Sequence, residues 1–583
     1  MKVSDYVIDL LAQNQIDIAF NYIGKNTHLC DSIDKRDDIT NIFTIHEQGA
    51  GFSAAGYARV TGNTGLVTVT SGPGATNLVT AIADCYADSI PAIFIVGEVE
   101  VADTKQDRCI RQFGFQETDI VNIVKPITKH STLINSLREL RYEFEKSLFL
   151  AQEGRKGPVL VGLPENFQYQ PDYEPSNGAS FFDSNEHKEF LGNNDLSNQL
   201  VAEVADLINQ SKRPVILIGG GVRLAEAQSA VLDLINKTNI PVVHSLMGKD
   251  IVTSNYPYNL GFIGNYGNRY SNFTIANSDL LLVLGSRLDN LQTGRNVKTF
   301  AREAKVIQVD IDTNELGIRI DVDVPINTNV DRFLKILNKM ELNPEIVDWQ
   351  ETVLKYKKTY PAGYNSDKRE KLGNRMISTI SMHSSPGDIV CVDVGEHQML
   401  VAQSYDLKDG QRVLFSGGFG AMGCALPYAI GATLGSGRRS IVIAGDGGFQ
   451  MNIQELEVVK RRNLPIKMFI INNNSLHMVK LRQDMYLNGN SVGSKKDYSV
   501  PSFKRIGEAY GIKSRQISGE ELEHCIAEIM QTEECEIVDI QIDADLTTVE
   551  PRLDFNRAFE DMRPYLDKEE LEKHMIVRLL AEE

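Results

Sequence analysis

The sequence predicts an α/β protein of three domains, each built on a mainly parallel sheet flanked by helices. Three observations carry this expectation. The chain has 583 residues, too many for one hydrophobic core, and at roughly 150 residues per domain it divides into three or four. Short apolar runs at residues 65–70, 92–96, 215–218, 280–284 and 306–309 alternate with helical patterns, the mark of βα layering. Two polar stretches, residues 168–194 and 343–367, interrupt the periodicity and read as linkers. The blocks expected are therefore 1–167, 190–345 and 368–550, followed by a charged tail at 551–583.

Composition narrows the class of function. Hydrophobic residues at 42% and charged residues at 24% describe an ordinary globular protein. A formal net charge of -18 argues against a nucleic-acid partner, which requires a clustered positive field. Asp5 and Asp9 break the first apolar run, which fits an amphipathic helix better than a signal peptide. No stretch is apolar for long enough to span a bilayer, so no membrane partner is expected. Seven cysteines without a CxxC spacing read as reduced, buried thiols, and the cytoplasm is the expected compartment.

The first and third blocks share a pattern. In one, the strand at residues 66–70 leads into Ser71-Gly72-Pro73-Gly74, a helix, Pro91 and a second strand. In the other, the strand at 440–444 leads into Gly445-Asp446-Gly447-Gly448, a helix, Pro465 and a second strand. Superposing the prolines places Gly72 on Asp446 and Gly74 on Gly448, so two related domains are expected, one of them specialised for a metal.

Asp446 ends a buried strand and opens a helix, where free N–H groups and the helix dipole attract anions such as a diphosphate. Asn472-Asn473-Asn474 ends the next strand and offers further oxygens. An aspartate with amide, backbone and phosphate oxygens describes a Mg²⁺ site. Alone, a Gly-Asp-Gly is usually a turn and an Asn run a strand end.

Joined at this spacing, the two segments resemble the metal motif of the thiamine-diphosphate enzymes. The resemblance implies a pyrimidine-binding first domain, a central domain and a diphosphate-binding third domain. It implies side-chain ligands from Asp446 and Asn473 and a backbone-oxygen ligand from Ser475, with Gly445, Gly447 and Gly448 in the cofactor-facing turn. Asp393-Val-Gly395-Glu-His397 is similar to the other phosphate-facing loop, which gives Gly395 and His397 to the diphosphate; otherwise His397 is a surface loop histidine.

In the first block, His46-Glu47-Gln48 opens a helix rich in small residues: Gly49, Ala50, Gly51, Ser53, Ala54, Ala55 and Gly56. Small residues allow another helix or backbone to approach closely. A first-turn glutamate is ordinarily a dipole-stabilising surface residue. The run through Arg59, however, resembles the acetohydroxyacid (acetolactate) synthase branch, in which the matching glutamate hydrogen-bonds the cofactor's aminopyrimidine. That role is implied for Glu47: a proton shared with the ring favours the imino tautomer of its amine. By the same likeness Met422 supports the bent cofactor and the Gly420 carbonyl receives the amine; otherwise Met422 is plain core. Glu47 and Asp446 lie in different blocks, so the resemblance implies a homodimer or homotetramer with sites at subunit interfaces.

In the middle block, the turn Gly219-Gly220-Gly221 is weak evidence by itself. With Gly264, Arg287, Asp310 and Asp312 it resembles the segments that hold FAD in acetolactate synthases, Arg287 toward a pyrophosphate and Asp310 or Asp312 toward a ribose or adenine. Related enzymes keep this fold without flavin.

The substrate pocket departs from the resemblance. A Tyr-Pro-Gly-Gly loop becomes Tyr22-Ile23-Gly24-Lys25, and a Gly-Met-Val-x-x-Trp segment becomes His477-Met-Val-Lys-Leu-Arg482. Phe115-Gln116-Glu117 is retained, with Gln116 expected at the substrate. Lys25, His477 and Arg482 suit an acceptor bearing a phosphate or carboxylate, or else Lys25 and Arg482 face solvent at the cleft mouth. The segments 111–119 and 558–564 resemble acetolactate-synthase-like proteins of polysaccharide pathways, some of which act on nucleotide-linked keto sugars.

The expected activity is decarboxylation of a 2-keto acid, with pyruvate first, and transfer of a two-carbon unit to a carbonyl acceptor. The alternatives are transfer to a nucleotide-linked keto sugar, a simple decarboxylase or oxidase, and a non-catalytic regulatory relative.

Overall fold

The computed structural model describes residues 1–190, 196–363, 371–554 and 556–580. The expected linker end at Asn194 and third-block start at residue 368 lie outside the described residues.

Three six-stranded parallel sheets follow one another along the chain. The first contains β1 (Ile18–Asn21), β2 (Thr40–Phe43), β3 (Gly65–Thr70), β4 (Ala92–Glu98), β5 (His130–Leu133) and β6 (Pro158–Pro164). The second contains β7 (Pro214–Ile218), β8 (Val242–His244), β9 (Asn259–Phe262), β10 (Leu280–Leu284), β11 (Lys305–Asp310) and β12 (Val324–Asn327). The third contains β13 (Ile389–Val392), β14 (Arg412–Phe415), β15 (Ser440–Gly445), β16 (Ile466–Asn472), β17 (Lys513–Ser518) and β18 (Glu536–Gln541). Central strands such as β4 and β16 are buried at every residue, as helices on both faces of a parallel sheet require.

The first sheet runs β2-β1-β3-β4-β6-β5 and the third β14-β13-β15-β16-β18-β17, the same order strand for strand. The repeat read from turn residues is thus a repeat of topology. Its register is one residue away from the sequence superposition. Gly65 donates its N–H to Pro91 O and Ser440 its N–H to Pro465 O, so these strand starts are equivalent and Ser71, not Gly72, matches Asp446. The first unit carries one extra residue between strand start and proline. The second sheet, β12-β11-β10-β7-β8-β9, has the doubly wound order with its switch point between β7 and β10.

The helix Glu47–Thr61 is buried at Glu47 and from Gly49 to Ala58, and it packs on the helix Ala425–Ser436 of the third domain. Its small residues explain the approach. A Cβ on Gly56 would lie 2.7 Å from Tyr428 Cα, and one on Gly431 would run into the Ser53 carbonyl. Phe52, Tyr57, Tyr428 and Phe449 consequently belong to one core that joins the first and third domains.

Two expectations change here. Much of the stretch read as the second linker is a helix, Val347–Thr359, whose Trp349 is buried and donates its indole N–H to Pro214 O at 3.1 Å. The charged tail folds back on the middle domain: Phe559 joins that core, and the buried Glu560 pairs with Arg302 at 2.9 and 3.0 Å. Charge in the tail had masked its apolar anchors. Of the cysteines expected to be buried, Cys109 is exposed and Cys525 and Cys535 are half-buried. Among the described residues no helix is long and apolar enough to cross a membrane.

Candidate active site

In the third sheet β13 and β15 are neighbours whose connections leave in opposite directions, which opens a crevice at their carboxyl ends. Asp393 follows β13 there. Its buried carboxylate accepts the N–H of Val394 (2.9 Å), Gly423 (3.0 Å) and Ala425 (3.2 Å), tying the strand end to the turn that carries Met422. Burial raises its pKa. Gly448 lies against this carboxylate, where a Cβ would collide.

His397 sits in the first turn of the helix Glu396–Ser404. A Cβ on Gly395 would stand 2.7 Å from its ring and one on Gly445 3.0 Å, so both glycines make room for the imidazole. The ring is buried, Nε2 has no partner, and burial pushes its pKa down to about 4. It is not a surface loop histidine.

Asp446 opens the helix Asp446–Gln450 directly after β15. Tyr498 donates its hydroxyl to Oδ1 at 2.7 Å and Ser475 its N–H to Oδ2 at 3.4 Å. Burial raises the Asp446 pKa. Asn473, after the neighbouring β16, donates its amide to Thr547 Oγ1 at 3.1 Å. Asn474 between them takes a left-handed φ of 49°, which an asparagine tolerates. Among the described residues no cluster of three or more His, Cys, Asp or Glu suits a metal ion. A cation at Asp446 therefore needs amide, backbone and ligand oxygens, the oxygen-only set that suits Mg²⁺.

Gly395, His397, Met422, Gly445, Asp446, Gly447, Gly448, Asn473, Ser475 and His477 line one pocket. Gly420 is exposed at the end of the Met422 turn with a φ of 73°. The donor set fits a diphosphate: two buried imidazoles have an unpartnered Nε2, and the helices beginning at Glu396 and His477 start at the pocket.

Glu47 lies elsewhere. It is 7% exposed, accepts the Asn77 amide at 3.0 Å, and stands near Gly74, whose added Cβ would be 3.3 Å from its carboxylate. Gly24 packs on Thr70 at the end of β3, and the same Thr70 faces Gly74. Lys25 donates its backbone N–H to Thr70 Oγ1 at 3.2 Å and holds its ammonium 5.9 Å from the ring of the exposed Phe115. Gln116, at a left-handed φ of 68°, backs onto Gly72. These residues gather around the carboxyl end of β3, whereas the lining of the Asp446 pocket begins at Val394. Arg482 is exposed and does not line that pocket, so of Lys25, His477 and Arg482 only His477 does.

A larger cavity of about 450 Å³ lies at the β7/β10 switch point, between all three domains. Gly220, Gly221, Arg287 and Asp310 line it, with Arg59, Arg223 and Arg412. Gly219 and Gly264 act from behind: their backbones pack on Gly285 and Leu291, which form its wall. Asp312 does not line it but pairs at 2.9 Å with Arg155, which does. Tyr266 of this cavity touches Met478 of the diphosphate pocket (Oη to Sδ 3.4 Å), so the two spaces share a wall.

Sequence reasoning missed Asp393, Glu396, Tyr498, Thr547 and Arg223. Asp393 and Glu396 stood inside the quoted loop, but nothing in their spacing marks them as buried. Tyr498 and Thr547 arrive from distant segments.

Comparison with known proteins agrees with this geometry. The thiamine pyrophosphate enzyme profiles match in order: the N-terminal TPP binding domain over residues 1–123, the central domain over 201–337 and the C-terminal TPP binding domain over 393–540. The acetolactate synthase large subunit of Lactococcus lactis is 34% identical over 88% of this chain and 87% of its own. A probable acetolactate synthase large subunit of Methanococcus aeolicus is 33% identical over 93% and 92%, and the chloroplastic acetolactate synthase 2 of Nicotiana tabacum 32% over 96% and 85%. With its three sheets, its Asp446 pocket and these relatives taken together, the chain belongs to the thiamine pyrophosphate enzymes, in their acetolactate-synthase-like branch.

Proposed function

We propose that the chain is a thiamine-diphosphate- and Mg²⁺-dependent carboligase that decarboxylates a 2-keto acid, pyruvate first, and adds the two-carbon unit to a carbonyl acceptor. The observation that carries this reading is the pocket that Asp446, Asn473 and Ser475 share with His397, whose Nε2 has no partner. Thiamine diphosphate supplies a carbon nucleophile and an electron sink when bound. Asp446 and Asn473 would hold the cation through their side chains and Ser475 through its carbonyl. Met422 would support the cofactor's bend. Glu47 would share a proton with the aminopyrimidine and so fix its tautomer.

Because the pocket's own lining starts at Val394, a second copy of the chain would bring Glu47, Gln116 and Lys25 to it. A homodimer is the smallest assembly with a complete site, and a homotetramer is a pair of such dimers. Domain boundaries near 167, 190 and 550 suit the three sheets, and the helix Val347–Thr359 carries the middle domain past 345. We assign FAD to the 450 Å³ cavity, with Arg287 toward its pyrophosphate and Asp310 toward its ribose. Asp312 would act there through Arg155, which it holds at the cavity wall.

The acceptor reading rests on Lys25, half-buried beside Phe115, which suits an anionic acceptor such as a nucleotide-linked keto sugar. The test is incubation with pyruvate, Mg²⁺ and thiamine diphosphate, with product analysis and an absorption spectrum. Release of CO₂ supports the donor assignment, and its absence with every small keto acid removes it. Acetolactate from pyruvate alone supports the simple synthase. Turnover that rises only with a nucleotide keto sugar supports the second acceptor. Loss of bound flavin absorbance in Arg287→Ala supports the flavin site.

A further inference from the structure

His477 is the first residue of the helix His477–Tyr486 and is 3% exposed. Its Nδ1 lies 2.7 Å from Glu396 Oε2. Glu396 is itself fixed: Thr547 donates its hydroxyl to the same oxygen at 3.2 Å, and Val549 its N–H to Oε1 at 3.4 Å. The ring is therefore held at one edge by a buried carboxylate with further anchors of its own, and it cannot turn without breaking that bond. The other edge ends in Nε2, which is buried and has no partner.

Glu396 and His477 both line the pocket that holds His397, Gly447 and Asp446. Two imidazole nitrogens, His397 Nε2 and His477 Nε2, are thus buried and unpartnered in the same small space. A carboxylate in a pocket meant for a diphosphate is otherwise repulsive. The His477 ring stands between them, one nitrogen fixed on Glu396 and the other left for a ligand.

We infer that His477, positioned by Glu396, is a direct diphosphate contact of this chain, its Nε2 meeting a cofactor phosphate oxygen. The assignment rests on the thiamine-diphosphate reading of the pocket. It gives His477 a place in cofactor retention rather than in recognition of an anionic acceptor.

Titration calorimetry of the full-length protein with thiamine diphosphate and Mg²⁺ tests it. His477→Ala weakens cofactor binding about tenfold or more. His477→Phe, which keeps the ring's volume but neither nitrogen, gives the same loss without opening a cavity. In a Glu396→Gln background the ring loses the carboxylate that fixes its orientation, and His477→Ala then costs about threefold or less. A cooperative unfolding transition in each cofactor-free variant, lowered by no more than the loss of Glu396's partner accounts for, separates lost contact from lost fold. An unchanged dissociation constant in both His477 variants, or an equal loss in the two backgrounds, overturns the inference and leaves the family assignment intact. Failure of the unaltered protein to bind the cofactor overturns both.

Discussion

Glu455 accepts the backbone N–H of His46 at 3.0 Å, and so a carboxylate of the third domain grips the chain one residue before Glu47. It also accepts the N–H of Ile45 at 3.2 Å. Burial pushes its carboxyl up to about 7. Glu455→Ala leaves these donors without their acceptor and costs about 1–3 kcal/mol. The expected outcome is a lower unfolding midpoint together with a several-fold fall in kcat and little change in cofactor affinity. Equal activity in the folded variant would show that the grip does not steer Glu47.

Glu47→Gln retains a group able to bond Asn77 but cannot share a proton. Turnover of the 2-keto acid should fall about 10²-fold or more. Cofactor binding measured by calorimetry should stay within a few-fold of the parent. Unchanged turnover would remove Glu47 from the chemistry.

Gly431→Ala places a methyl group in the Ser53 carbonyl, and because that obstacle is backbone it cannot rotate away. The expected destabilisation is about 1–3 kcal/mol or more. Thermal unfolding should show the first and third domains, which share a core, losing structure together at a lower temperature. An unchanged midpoint would mean that the two helices separate easily.

The Glu98 carboxyl is pushed by burial to about 8 from its ordinary 4.5. Below about pH 4.5 folded and unfolded states both hold the proton; from there to about 8 only the folded state keeps it. Its contribution to stability is thus full below the unfolded value and is lost as pH rises through the folded one. Glu98→Gln, which has no proton to release, should show a smaller fall in unfolding midpoint between about pH 5 and about pH 8 than the parent. An identical fall in both would assign the pH dependence to other groups.

The sequence carried the layering, the repeat and the Asp446 turn because each is written in consecutive residues: a run of apolar side chains, a glycine beside an aspartate, a proline before a strand. It did not carry the partners that reach the site from afar. Tyr498 bonds Asp446, and Thr547 bonds both Asn473 and Glu396, across chain separations that no local pattern records. The second linker was misread for a related reason. Residues 347–359 are mostly polar, and only Trp349, Val353 and Tyr356 face the middle core, a stripe too narrow to raise the average. His477 was legible as an odd residue, but its hydrogen bond to Glu396, 81 positions away, was not. The turn of Asp312 toward Arg155 likewise depends on how the first and second domains meet.

The contact between the helices Glu47–Thr61 and Ala425–Ser436 has a symmetry that the shared strand order makes readable. Gly56 meets the backbone of Tyr428, and Gly431 meets the backbone of Ser53. Ser53 and Tyr428 are separated along the chain by the same number of positions as Gly56 and Gly431, as are the left-handed caps Gly62 and Gly437 that end the two helices. The two halves therefore clasp each other as a pair of identical subunits does about a two-fold axis, each presenting the same patch to the other. One chain already contains an internal pseudo-dimer. A change at either glycine acts on a surface whose two-fold counterpart lies in the opposite half, so variants of this interface are best read in matched pairs.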